Sequence, residues 1–437
     1  MNLIRTGSSL ILIAAMNTLV VHYTLAAQPD SSSGEADLES AIAVHRQQLE
    51  ALDGLAPERI ALYLEIAGLQ QSYSRFEDAA QSLNLALQAT RINDGLYATS
   101  QLDIIEKQIH NAERAGDWRA MDAHFYLAMD IADNSLSPDD PQYQQLVRKF
   151  ASWKMQAQRS NLDINDEPLS AQDAVTYLQV LLDNLDESDP DYLSRRIQYT
   201  NELAMARYYA AMAISKVPVD KFESIGPETV TGQNCFTITE DTGSGPKPVR
   251  VCESKQMPNP LFFESRQKAK FETLEAHISW IRGSYLELIE QLQASSDSDP
   301  VQLAQLMLSL GDMNFLLNDS LRAQTQYARA FEVLTSNDVA PEVQMQLMGQ
   351  PREISRTALE NMGLPLIEVH EQPSGIVSFD VTPQGTIRNL GITGSGADLE
   401  EDNQQLITTI LRHSVYRPRL EAGQPVQARL ELPAAQL

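Results

Sequence analysis

From about Asp37 to Gly363 apolar side chains recur at the helical period of 3.6 residues almost without interruption, which predicts a mainly α chain. Where the pattern stops, it stops at Gly, Asn or Pro and not at alternating apolar and polar runs. Asp140-Pro141, Asp189-Pro190 and Asp299-Pro300 each precede an amphipathic stretch. An Asp carboxylate accepts the orphan N–H groups of a first turn, and Pro in the first helical position lacks a donor that would have no partner there. All three steps are therefore expected to start helices. Sparing use of Gly (20) and Pro (21) in 437 residues agrees with this reading. At about 150 residues per domain, the length predicts two to three domains.

Within the helical stretch a short phrase recurs. Leu310, Gly311, Ala323, Tyr327 and Ala330 place small residues where two helices of a hairpin would touch and large ones beside them. Ile66, Ala67, Ala79, Leu83 and Ala86 form a second copy. A weaker third has Gly116-Asp117-Trp118 as the inter-helix turn, followed by Phe125 and Ala128, with Met121 where Ala is usual. This spacing resembles the tetratricopeptide repeat, over residues 301–334 for the first copy. The resemblance implies a helical solenoid whose repeats contact only their neighbours and whose concave face binds peptides or proteins. Trp118, Trp153, Trp280, Tyr208 and Tyr209 read as packing between helices rather than as a ligand platform.

Residues 1–27 differ from everything after them. Arg5 is their one charged side chain, Leu10 to Met16 and Leu19 to Val21 are apolar, and Thr24, Ala26 and Ala27 are small or short. That is the layout of a secretory signal peptide, with cleavage expected after Ala26 or Ala27 and a flexible leader over 28–36. The alternative is an uncleaved anchor, since Ser8 to Ala27 approaches the length of a membrane span. Export bears on the cysteines. Cys235 and Cys252 flank two β-branched runs around a Gly-rich turn, and in an oxidising compartment two cysteines with no others are expected to bond to each other. Two free thiols are the lesser alternative. The segment at about 217–260 thus reads as a disulfide-closed hairpin inserted in the helical body.

After Leu364-Pro365 the period changes from 3.6 to 2. Ile376 to Val381 and Thr386 to Ile392 read as strands around a Pro383-Gln384-Gly385 turn, Leu399 to His413 as an amphipathic helix, and Val426 to Leu432 as a closing strand. Val377-Ser-Phe379-Asp-Val381, the Pro-x-Gly turn, Tyr416-Arg417-Pro418 and Gly423-Gln-Pro425-Val426 follow in an order that resembles the C-terminal domain of TonB-family proteins. The resemblance covers residues 372–437 and implies a small α+β module of order β-β-α-β. It lacks the family's usual Pro-x-Tyr-Pro segment and its Pro/Lys/Glu-rich spacer. In TonB the last strand accepts a peptide segment of an outer-membrane receptor by strand addition. Carried over, the resemblance makes Val426, Ala428 and Leu430 a candidate binding edge, with Arg412, Arg417 and Arg419 as a local cationic cluster. Tyr416 and Pro418 read as shaping the turn and packing the helix on the sheet. Thr18 and His22 have the spacing of the transducers' membrane Ser-x-x-x-His pair, with Thr in place of Ser.

With 33 basic against 59 acidic residues, a net charge of −26 excludes nucleic-acid binding by bulk electrostatics. No zinc-protease, nucleophile-elbow or Walker motif is present. Thr242-Gly-Ser-Gly245 and Thr393-Gly-Ser-Gly396 lack a phosphate cradle's context, and the histidines fall without metal-ligand spacing. No cofactor and no catalytic or metal-binding residue is expected. The sequence therefore predicts an exported, periplasmic, non-enzymatic adaptor or scaffold of the cell envelope. It would hold proteins or peptides, outer-membrane receptors among them, on a solenoid face and at a sheet edge. The alternative is a TonB-like energy transducer anchored in the inner membrane by residues 1–27.

Overall fold

Capping chemistry sets the helix starts in the computed structural model. Asp140 and Asp299 sit at N-caps, accept from the backbone N–H of Gln142 and Val301, and are followed by Pro in the first turn. Asn259-Pro260 does the same for a third helix. Asp189 instead closes a turn by accepting from the N–H of Asp191, so that helix begins two residues later, at Tyr192. The structure describes residues 31–160, 162–164, 167–168, 171–241, 243–295, 299–354, 375–393, 404–405, 407–408, 410–411 and 414–434. The expected signal segment, the leader up to residue 30 and Arg412 lie outside these.

The chain divides into two compact units between Asn93 and Asp94. The first comprises α1 (Ser31–Ala51), α2 (Glu58–Ser72) and α3 (Phe76–Asp94). Helix α1 already takes up residues 31–36, which corrects the expectation of a flexible leader there. It buries Leu38, Ile42 and Leu49 on one stripe against Ile66 of α2. Helices α2 and α3 close on Ile66, Ala67, Ala79, Leu83 and Ala86, all buried, and the Ser82 hydroxyl donates to Gln70 Oε1 at 2.7 Å within the same seam.

The second unit continues with α4 (Leu102–Ala115), α5 (Trp118–Ser135), α6 (Pro141–Arg159), the short strands β1 (Asp163–Ile164) and β2 (Glu167–Pro168), α7 (Gln172–Asp183) and α8 (Tyr192–Lys216). A ribbon of β3 (Thr229–Asp241) and β4 (Pro246–Pro258) follows, then α9 (Pro260–Ala294), α10 (Pro300–Leu316), α11 (Ser320–Ser336) and α12 (Pro341–Met348). Helices α4 to α11 pack chiefly on their neighbours in sequence, whereas α12 packs on a strand of the C-terminal region. Leu310, Ala323, Tyr327 and Ala330 are buried between α10 and α11, and a Cβ at Gly311 would collide with the Tyr327 ring. The ribbon carries the Cys235–Cys252 disulfide, its Cα atoms 4.0 Å apart.

The strands of the C-terminal region are β5 (Arg352–Glu353), β6 (Ile376–Val381), β7 (Ile387–Thr393), β8 (Tyr416–Arg417), β9 (Arg419–Glu421), β10 (Gln424–Val426) and β11 (Ala428–Pro433). The main sheet has the order β11-β6-β7, all antiparallel, with Leu430 opposite Phe379 and Leu432 opposite Val377. Its core joins Val377, Phe379 and Val381 to Ile407, Leu411 and Tyr416, the Phe379 and Tyr416 rings lying edge to face at 5.3 Å. The described residues 404–405, 407–408 and 410–411 are helical and fall inside the expected helix. The expected closing strand is in fact two: Val426 belongs to β10, hairpinned on β9, and only β11 joins the main sheet. A strand outside the expected 372–437 module also takes part, since β5 pairs with β8.

Candidate functional site

Three stripes at helical spacing converge between α4, α5 and α6. Met121, Phe125 and Ala128 of α5 form an apolar floor, at positions i, i+4 and i+7. Asp103, Glu106, His110 and Glu113 of α4 form one wall, and Gln142, Gln145, Lys149 and Gln156 of α6 the other. They enclose an open groove of about 350 Å³. Lys149 pairs with Glu106 across it, and His110 Nδ1 lies 3.2 Å from Glu113. With Asp103, Glu106 and Glu113 against the single Lys149, the rim is net acidic. The weakest of the three repeat matches supplies the floor: Met121, which departs from the repeat, is buried and faces the groove.

The floor is held from behind. Gly116 ends α4 in the left-handed conformation at φ 68°, and Asp117 caps α5 by accepting from the N–H of Ala120. Trp118 stacks on Trp153 at 6.0 Å, as expected for a packing role. The fully buried Lys154 is a feature that the sequence does not flag. Its ammonium lies 2.8 Å from Asp122 Oδ1 and 2.9 Å from the Tyr126 hydroxyl, and 4.3 Å from the centre of the Tyr126 ring. The Trp153 indole N–H donates to the same Asp122 oxygen at 2.8 Å. Burial and a hydrogen bond to Asp173 push the Tyr126 hydroxyl well above its ordinary range, so it stays protonated. Asp133 accepts from both Tyr143 and Tyr177 at 3.0 Å and ties α5, α6 and α7 together.

The expected cationic cluster at the C-terminal module is corrected by Arg417. Its side chain is only 4% exposed, with Nη1 3.3 Å from Asp312 of α10 and Nη2 donating to the Leu347 carbonyl at 3.0 Å. Tyr327 donates to the same Asp312 at 2.9 Å. Arg417 is therefore a dock between strand β8 and the helices, not a surface for partners. Two turns dock beside it: Gly423, at φ 72°, lets the β9–β10 hairpin approach α11 so closely that a Cβ would lie 2.8 Å from the Ala328 Cα. Gly385 does the same against Phe315. Arg419 is half-exposed and paired with Glu421 at 2.8 Å.

Of the expected edge, Ala428 and Leu430 lie on β11, which pairs on one side only among the described residues. Arg429 and Glu431 alternate with them on the exposed side, charges that blunt an open edge. Among the described residues no three His, Cys, Asp or Glu side chains converge as a metal site requires, and no helix is long and apolar enough to cross a membrane.

No protein-family model matches the chain, and no curated protein matches it. Among solved structures, the chain is similar to "Crystal structure of BtubC (BKLC) from P. vanneervenii", at 13% identity and a TM-score of 0.32, over 71% of this chain and 94% of that one. A likeness of that size constrains neither fold detail nor role.

Proposed function

We propose that the protein is a non-enzymatic adaptor of the cell envelope, built as a tetratricopeptide-like helical array with a TonB-like C-terminal module, and that its α4–α6 groove holds a segment of a partner protein. The observation that carries this reading is the groove itself, with an apolar floor at helical spacing and a rim of three carboxylates against one ammonium. That combination fits a basic amphipathic helix or extended segment with apolar anchors. The Cys235–Cys252 disulfide is compatible with export to an oxidising compartment, the periplasm on this reading. Docking of β8 and its neighbouring turns on α10–α12 favours a fixed scaffold over a transducer module that reaches for its receptor.

Peptides selected from a random library on the full chain test the reading. The expected sequences are basic with two or three spaced apolar residues. Their affinity should fall about tenfold when Asp103, Glu106 and Glu113 are replaced together by lysine, the equivalent of about 1.4 kcal/mol. It should also fall with added salt. Affinity unchanged by both would remove the groove as the binding site.

A further inference from the structure

The β3–β4 ribbon has two different faces. Residues directly opposite one another share a face, and successive pairs alternate. One face carries Thr229/Pro258, Thr231/Gln256, Gln233/Ser254, the Cys235/Cys252 bridge and Thr237/Arg250. The other carries Val230/Met257, Gly232/Lys255, Asn234/Glu253, Phe236/Val251, Ile238/Val249 and Glu240/Lys247. Of its apolar side chains, Val230 is 39% exposed, Phe236 40% and Met257 44%, and Ile238, Val249 and Val251 are half-buried. A two-stranded ribbon is marginal in water by itself, and here the disulfide on the polar face holds it while the apolar face stays partly exposed.

We propose that this face is a self-association surface, on which a second copy of the chain lays its own ribbon antiparallel about a two-fold axis. The axis lies across the ribbon between the Phe236/Val251 and Ile238/Val249 pairs. That operation places β3 over β3 and β4 over β4, so Phe236 meets Ile238 of the second copy and Val251 meets Val249. One step further out, Glu253 meets Lys247 of the second copy and Asn234 meets Glu240. The face is thus complementary to itself in both shape class and charge, as an isologous contact requires. Electrostatics favours the same place, because residues 229–258 hold three acidic and three basic side chains within a chain of net charge −26. Two copies repel least where their ribbons meet. Glu240 and Asp241 near the ribbon's tip disfavour a lipid surface as the occupant.

The contact spans little more than four cross-strand pairs, below the size of a standard interface, so the dimer is weak and concentration-dependent. Sedimentation equilibrium of the full chain from micromolar to submillimolar concentration should show reversible dimers. Ile238→Glu should abolish them, and Lys247→Glu should weaken them about tenfold, equivalent to about 1.4 kcal/mol. Glu253→Lys added to Lys247→Glu re-forms both cross-copy pairs with reversed sign and should restore dimers to within a few-fold of the parent. Both charged positions are exposed, so the variants keep the fold, checked by an unchanged helical signal in circular dichroism. A parent that is monomeric throughout, a dimer indifferent to Ile238→Glu, or a double swap without recovery would each overturn the proposal. So would a ribbon that pairs only with a different protein.

Discussion

Replacing Arg417 by alanine is expected to destabilise the protein by about 3–5 kcal/mol, because it strands the Asp312 carboxylate in the interior without its cation. Few other single changes should cost as much, since the guanidinium also holds the Leu347 carbonyl and brings β8 onto α10. Burial holds the Asp312 carboxyl above its ordinary range, outweighing Arg417, Tyr327 and Arg352, which favour the ionised form. A carboxyl whose folded pKa is raised favours the fold below its unfolded pKa of about 3.9, and that contribution is lost as pH climbs through the raised value. Without Arg417 only the Tyr327 hydrogen bond and the more weakly acting Arg352 oppose that loss. The penalty of the substitution should therefore be smallest in acid and grow with pH. Urea titrations of parent and variant across that window measure it, together with protease cutting within residues 414–434. A penalty under about 1 kcal/mol, the range of a solvated ion pair, or one that shrinks with rising pH, would contradict the dock.

A similar loss is expected for Lys154→Ala. That change removes the ammonium from Asp122, Tyr126 and the Phe150 ring and leaves Asp122 almost fully covered. Removing one member of a buried pair costs about 3–5 kcal/mol, whereas replacing both by neutral groups of similar shape often costs little. Lys154→Met with Asp122→Asn should therefore recover most of the stability, since the Trp153 indole N–H can still donate to the asparagine oxygen. A double-mutant cycle in urea reads the coupling directly. If the double variant is no better than Lys154→Ala, the polar cluster is not what holds the floor of the groove.

These two residues mark where the sequence stops being legible. Caps are local, so Asp140-Pro141 and Asp299-Pro300 can be read by eye; Asp189 misleads by two residues because its carboxylate is spent on a turn. Helix hairpins can be read where Gly311 or Ala79 must be small for two helices to touch. The ribbon was visible from its β-branched runs, its Gly-rich turn and its two cysteines. Arg417 is not legible as a dock, because a buried arginine and a surface one look alike in a linear string and its partner lies 105 residues away. Lys154 is illegible for the same reason, with Asp122 on a different helix. The groove was hidden more deeply: Met121 and Phe125 are ordinary core residues until α4 and α6 are seen to stand apart above them. The split of the last strand into β10 and β11 was invisible because Pro425 and Gln427 do not by themselves say which side of a bend pairs with what.

On the proposed function, the α4–α6 groove is the place where a partner is held. A photo-reactive residue in place of Gln145, an exposed position on the groove wall, carries the direct test when the full chain is expressed in cells and irradiated. Ala123, exposed on α5 outside the groove, is the matched control. The expected result is a discrete protein adduct from position 145, lost when the acidic rim is reversed to lysine, and none from position 123. Adducts of equal yield from both positions, or none from position 145, would contradict the groove and with it the adaptor reading.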